Sequence, residues 1–255
     1  TSNAISKKFE RDGKYQLGTI GRGNHFLELQ RCVDTEELWV TIHTGSRCMG
    51  PAIRDYFNSL ATGKSKGLPY LVADSEVGQL YLSEHCWARK YANFNRQLIF
   101  QRFSRMLQSV IDINPDLSCA IHGDHNHVES ISIKGKEMLV HRKGANSAMK
   151  GELAIIPGSM GSSTFHCKGE GNTDSLYSSS HGAGRSMSRQ LAKKTVTGAS
   201  LADQLQGVFY QPEKLSKLTE ESPSAYKNIT TVMKQQKKLV RAIRRLEPVL
   251  NYKGV

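Results

Sequence analysis

A chain of 255 residues, 38% hydrophobic and 23% charged, can bury a core as one large domain or two small ones and is not a disordered polyelectrolyte. No apolar run reaches the roughly 20 residues of a membrane-spanning helix, and residues 1–14 hold no apolar stretch like that of a signal peptide. The net charge of +12 favours anionic partners, nucleic acid being the common case.

In chain order, residues 38–42 form a β-rich segment ending at His43. Residues 51–70 carry Gly63, Lys64, Ser65, Lys66, Gly67 and Pro69 and read as a loop. Residues 83–110 keep helical apolar spacing through Trp87, Tyr91, Phe94, Leu98, Ile99, Phe103, Met106 and Val110, with Ser83 as the cap. Residues 117–121 look like a strand leading into His122. Residues 129–141 read as a hairpin turning at Lys134-Gly135-Lys136, and 153–156 as a strand stopped by Pro157-Gly158. The Gly-, Ser- and Asn-rich stretch 166–185 reads as loops. Helical signals over 224–246 start near Pro223 and carry Lys234, Lys237, Lys238, Arg241, Arg244 and Arg245, a basic segment able to face RNA or only solvent. The expected class is α+β, with strands delivering polar side chains to shared loops.

The motifs lie at those strand ends. Gly18-Thr-Ile-Gly-Arg-Gly-Asn-His-Phe-Leu-Glu28 lacks the third glycine of a dinucleotide fingerprint, since Phe26 stands there, so a Rossmann reading fails. It still places an amide (Asn24), an imidazole (His25) and a carboxylate (Glu28) within five residues. His43-Thr-Gly-Ser-Arg47 pairs a possible metal ligand with a guanidinium suited to phosphate. His122-Gly-Asp-His-Asn-His127 admits a dinuclear metallohydrolase site built on His122, Asp124, His125 and His127. On an extended chain, however, neighbouring positions face opposite ways. His141-Arg-Lys-Gly144 sets cations beside a glycine, which suits phosphate binding or only solvated charge. Pro157-Gly-Ser-Met-Gly-Ser-Ser-Thr164 offers backbone N–H groups and hydroxyls of the kind that form anion nests. Ser180-His181-Gly-Ala-Gly-Arg185, followed by Arg189, leaves an imidazole open beside cations, a fitting nucleophile toward a nucleotide phosphate. The five cysteines (Cys32, Cys48, Cys86, Cys119 and Cys167) are odd in number and show no CxxC spacing. They imply a reducing compartment, and the expected location is cytoplasmic.

Taken together and in order from Gly18 to Gly254, these segments closely resemble the RtcB family of RNA ligases. The resemblance implies a single compact RtcB-like α+β domain over residues 1–255, with mixed or antiparallel sheets, flanking helices and a loop-lined cleft. It implies GTP and Mn²⁺ as cofactors. The partner would be RNA bearing 3′-phosphate or 2′,3′-cyclic phosphate and 5′-hydroxyl ends, in repair or tRNA splicing. Residues 234–246, helical by their period, would instead hold a strand before the final lysine, so that stretch stays open between the two. His181 would carry GMP covalently. His25, His43 and His125 would bind Mn²⁺. The guanylate would lie among Asn24, His25, Phe26, Leu27 and Glu28, with His125 and Asn126, with Pro157, Gly158, Ser159, Met160 and Thr164, and with His181, Gly182, Ala183, Gly184 and Lys253. Arg185 and Arg189 are added as phosphate contacts. The family's Asp-x-Gly-Cys-Gly segment, which supplies an aspartate and a cysteine to the metals, is not found in this sequence, and Cys48 is a candidate substitute thiolate. Two other readings stay open, the metallohydrolase and a non-catalytic RNA-binding remnant.

Overall fold

In the computed structural model, which describes residues 2–254, the strands are β1 Phe26–Cys32, β2 Leu38–His43, β3 Gly63–Ser65, β4 Leu68–Tyr70, β5 Asn126–Ile133, β6 Lys136–Lys143, β7 Ala145–Ser147, β8 Leu153–Pro157, β9 Thr164–Gly169, β10 Ser178–Ser180 and β11 Val240–Tyr252. The chain separates into two compact units. One takes the residues up to 20 with 43–115, the other 21–42 with 116 onward.

The first unit is mainly helical. Met49, Ile53 and Phe57 recur every fourth residue, so they share one buried stripe and drive a helix over Met49–Leu60 where the sequence read as loop. Pro51 does not prevent it, because a first-turn residue has no intrahelical N–H bond to lose. Only the Gly- and Lys-rich remainder turns, as the β3–β4 hairpin. The long helix runs over Glu76–Ile111, capped by Ser75, whose hydroxyl accepts from Gly78 N at 3.1 Å. It thus starts about two turns before the expected Ser83, because Ser75-Glu76 carries the same capping chemistry and Val77 and Leu80 pack on the core. Asn95, fully buried in that helix, accepts from Gly18 N (2.7 Å) and Thr19 N (3.2 Å) and donates to Thr19 O (3.1 Å) and Gly45 O (3.4 Å). One amide thereby satisfies two loops that no helix or sheet supports.

The second unit is built on a five-stranded sheet of order β2-β1-β11-β9-β8, whose β1/β11, β11/β9 and β9/β8 pairs run antiparallel. Trp39 on β2 and His166 on β9 are three strands apart, roughly 14 Å across a flat sheet. Their rings nevertheless meet edge to face at 4.9 Å, so the sheet curls back on itself. The segment 224–246 is not one helix. A 3₁₀ turn (Pro223–Ala225) and a short helix (Ile229–Gln235) precede β11. The central place of β11, hydrogen-bonded to both neighbours, overrides the helix-like spacing of its cations. Residues 166–185 likewise include most of β9 and all of β10, which pairs with β7. Residues 117–121 form no strand. Ser118 N and Oγ both donate to the Asp116 carboxylate at 2.8 Å, a side-chain turn that competes with extended pairing. The β5–β6 hairpin forms as expected around Lys134 and Gly135. Both have positive φ, and Ile131, Ile133 and Val140 are buried on one face. Strand β8 also forms as expected.

Candidate functional site

In the second unit β1 opens the site. Its alternation buries Phe26, Glu28, Gln30 and Cys32 on one face, so a carboxylate and an amide are carried inside the curled sheet. Gln30 Nε2 donates to Glu28 Oε2 (2.5 Å) and Thr164 Oγ1 (2.9 Å), while Thr41 Oγ1 donates to Gln30 Oε1 (2.6 Å). Asn251 Nδ2 donates to the other Glu28 oxygen. Burial pushes the Glu28 carboxyl up to about 7, although the Lys253 charge and these two donors pull the other way.

Lys253, buried as well, donates to Gly23 O at 3.3 Å, lies 3.4 Å from Glu221 Oε2 and stands 5.4 Å over the Phe26 ring. The next residue must be small, because a Cβ on Gly254 would fall 2.0 Å from Gly21 O. Burial lowers the lysine pKa, and Glu221 and then Glu28 oppose that. Glu221 is the hub of this charge cluster. Its carboxylate accepts from Tyr226 Oη (2.5 Å) and Arg185 Nη1 (3.3 Å) and lies 3.5 Å from Arg189 Nε.

Three histidines distant in sequence come together in space. The His125 and His181 rings lie 4.6 Å apart. His25 is close enough that its charge depresses His125, which burial above all holds down at about 4. His181 Nδ1 is 2.6 Å from Gly144 O. A carbonyl can only accept, so Nδ1 carries the proton and Nε2 keeps its lone pair. Burial lowers the His181 pKa, the carbonyl partly offsetting it, which keeps the ring neutral and nucleophilic. Gly144 is itself held to the other histidine, its N–H donating to His125 O (2.7 Å) and Asn126 Oδ1 (3.2 Å). On the far side of His181, Ala183 N donates to Pro157 O (2.9 Å), and a Cβ on Gly182 would stand 2.9 Å from that oxygen. Gln236 Oε1 accepts from Ser180 N and Oγ at 3.1 Å each.

Of the residues singled out in sequence, the second unit thus groups His25, His125, Asn126 and His181, groups Phe26, Glu28 and Lys253, and packs Gly182 and Ala183 on Pro157. Leu27 is buried opposite Tyr252, and Asn24 and Gly184 are half-buried in loops. Gly158 and Ser159 belong to a turn closed by Gly158 N→Ser163 O (3.0 Å) and Ser159 N→Ser162 Oγ (2.7 Å). Met160 is a core residue packed with Leu201, Leu205 and Leu218, and Thr164 is committed to Gln30. His43 ends β2 and counts with the first unit. Cys48, in that same unit, has a half-buried thiol that burial pushes up, which disfavours a thiolate ligand.

Gln30, Glu221, Tyr226, Gln236 and Asn251 escaped the sequence reading. The one available signal was β1, whose period of two sets Glu28 and Gln30 on the face of Phe26 and Cys32. The metallohydrolase cluster does not assemble. His122 is exposed, and His127 Nε2 faces Arg142 Nη1 at 3.0 Å, a cation where a metal would need a lone pair. Among the described residues no three His, Cys, Asp or Glu side chains group to hold a metal ion. Among them, too, no helix is long and apolar enough to cross a membrane.

The sequence matches the family model described as tRNA-splicing ligase RtcB over residues 1–254. It is 39% identical over 254 residues to an RNA-splicing ligase RtcB of Escherichia coli, covering 93% of this chain and 61% of that protein. It is 33% identical over 299 residues to a tRNA-splicing ligase RtcB of Nanoarchaeum equitans, covering 99% and 63%, and 32% identical over 301 residues to that of Pyrococcus furiosus, covering 99% and 31%. The chain therefore spans less than two thirds of the length of these relatives, and its motifs, its histidine pair and the extent of the match identify it as a member of the RtcB family.

Proposed function

We propose that this chain carries the nucleotidyl-transfer centre of a GTP- and Mn²⁺-dependent RNA ligase that joins 3′-phosphate or 2′,3′-cyclic phosphate ends to 5′-hydroxyl ends. The observation that carries the reading is the neutral His181 imidazole, with Nδ1–H held by Gly144 O and Nε2 left as the nucleophile. His181 Nε2 attacks the α-phosphorus of GTP, forming a phosphorus–nitrogen bond and releasing pyrophosphate. A cyclic phosphate end is first hydrolysed: water adds to its phosphorus and the 2′-oxygen leaves as a hydroxyl, giving a 3′-phosphate. GMP then passes from His181 to an oxygen of that phosphate, which regenerates the free imidazole. The RNA 5′-hydroxyl attacks the activated phosphorus and GMP leaves.

Arg185 and Arg189, both held by the Glu221 carboxylate, supply positive charge for phosphate oxygens. Glu28 and Lys253, an acceptor and a donor buried within one unit, match the N1–H/N2–H₂ donors and the O6 acceptor of guanine. The donor chemistry also suits Mn²⁺, because the His125 imidazole, held neutral by burial, keeps a lone pair for a borderline divalent ion. Within the second unit, His25 and His125 are the residues that would hold it. When bound, the ion offsets charge developing on the phosphoryl oxygens.

Incubation with radiolabelled GTP and Mn²⁺ tests the assignment. The expected result is an acid-labile label on the protein that is absent from His181→Ala. Labelling that survives in His181→Ala, or RNA binding with no label in the wild type, would overturn it.

A further inference from the structure

Arg142, on β6, is the most completely engaged side chain outside the site described above, with 1% of its side chain exposed. Each of its five N–H donors has an acceptor. Nε donates to Ser178 Oγ (2.9 Å). Nη1 donates to His127 Nε2 (3.0 Å) and to the Glu129 carboxylate. Nη2 donates to Leu176 O (3.3 Å) and Tyr177 O (3.4 Å). The last two acceptors belong to consecutive non-glycine residues in the left-handed region, with φ of 53° and 51°. Such a turn costs about 1–2 kcal/mol per residue and persists only where something holds it.

The turn at 176–177 leads straight to the chemistry. Strand β10 leaves it, pairs with β7 (Ser178↔Ser147, Ser180↔Ala145) and delivers His181 as its next residue. Strand β7 begins immediately after Gly144, whose carbonyl receives His181 Nδ1–H. Gly144 lies two residues beyond Arg142 in the same chain. The contacts therefore close a ring: from Arg142 to the 176–177 turn, along β10 to His181, across to Gly144, and back to Arg142.

We infer that Arg142 is a positioning residue, whose five-donor fork fixes the β7–β10 register and thereby aims the His181 imidazole with its Nδ1–H on Gly144 O. His127 and Glu129 are its supports. His127 presents Nε2 to the guanidinium, and Glu129 balances the buried charge. A lysine would keep the charge but can neither span the five acceptors nor hold the two carbonyls together. The name "nucleophile" for His181 rests on the proposed function, whereas its orientation by Arg142 does not.

The test separates the two. The whole chain, labelled with ¹⁵N-histidine, is compared as wild type, Arg142→Lys and Ser178→Ala at one fixed pH above neutrality, without nucleotide. His181→Ala assigns the resonance. Wild type should show His181 as the Nδ1–H tautomer. Arg142→Lys should move it toward a mixture with Nε2–H, and Ser178→Ala should do so to a smaller extent. In parallel, covalent GMP capture should slow by about tenfold to a hundredfold in Arg142→Lys, the scale of a misplaced reacting group, with less than about a twofold change in GTP affinity. A folded Arg142→Lys with an unchanged His181 tautomer overturns the inference. If that variant does not fold, an unchanged tautomer in Ser178→Ala overturns it instead. A shifted tautomer in a protein whose wild type captures no GMP leaves the Arg142 assignment standing and removes the ligase reading.

Discussion

Glu28→Gln isolates the energetic consequence of burying a carboxyl inside the curled sheet. The native carboxyl is pushed from 4.5 to about 7. Below about pH 4.5 the native and unfolded chains both hold this proton. As pH rises toward 7 the unfolded chain gives it up while the native chain keeps it, and above 7 the native chain must carry a buried anion. Stability from this group is therefore full below pH 4.5 and is lost as pH rises through about 7. At about 1.4 kcal/mol per pH unit, the shift corresponds to about 3 kcal/mol. Glutamine has no proton to lose. It does bring its own N–H₂ against Gln30 Nε2 and Asn251 Nδ2, which already donate, at a pH-independent cost of about 1–3 kcal/mol. The informative quantity is thus the difference between the two urea-unfolding free energies across pH. Relative to wild type, Glu28→Gln should gain about 3 kcal/mol between about pH 4 and 8, whatever the offset. A flat difference curve would refute the claim that this carboxyl is desolvated in the native fold.

Three further substitutions probe other parts of the same logic. Glu221→Ala leaves Lys253 buried without its counter-charge and should cost about 3–5 kcal/mol by urea unfolding, with Glu221→Gln intermediate. His166→Phe keeps the edge contact to Trp39 but removes a group that burial, reinforced by Arg244, holds at about 4. The wild type should lose stability as pH falls from 6.5 toward 4, by up to about 3 kcal/mol, and a Tm–pH profile should show that acid limb flattened in the variant. Asn95→Ala orphans the Gly18 and Thr19 N–H groups. It should cost about 2–4 kcal/mol and speed hydrogen exchange at those two amides before the rest of the first unit.

What the sequence disclosed divides along contact range. The β5–β6 hairpin, β8 and the interior of the long helix were legible because their signals are local: a turn dipeptide, an apolar run ended by proline, a helical period. Over 234–246 the sequence left two readings open, helix by the spacing of its cations and strand by resemblance, and only the two neighbours of β11 decide for the extended form. The chemical groups followed the same rule. His181, Lys253 and Glu28 stand in compact motifs, but the residues that orient them do not. Gln30 meets Thr164 134 positions away, and Asn251 meets Glu28 223 positions away. Arg142 stood in a motif that read as phosphate-binding or solvated charge, because nothing within its own strand announces that two of its acceptors lie on a turn more than thirty residues later.

The charges explain why this arrangement suits an anionic ligand while staying folded without one. Three cations, Arg185, Arg189 and Lys253, share the single Glu221 carboxylate, and Glu28 would be the second anion. With its carboxyl held at about 7, Glu28 is only partly ionised near neutrality, so the cluster keeps a positive surplus. That surplus is tolerable because Glu221 also accepts from Tyr226, whose hydroxyl burial and the carboxylate together keep protonated. The phenol donates to Glu221 Oε2 while its oxygen accepts from Arg185 Nη1 at 3.3 Å, so it bridges the carboxylate and a guanidinium. A phosphate entering beside Arg185 and Arg189 would neutralise charge the protein leaves unbalanced, so binding free energy comes from relieving an existing repulsion as well as from new contacts.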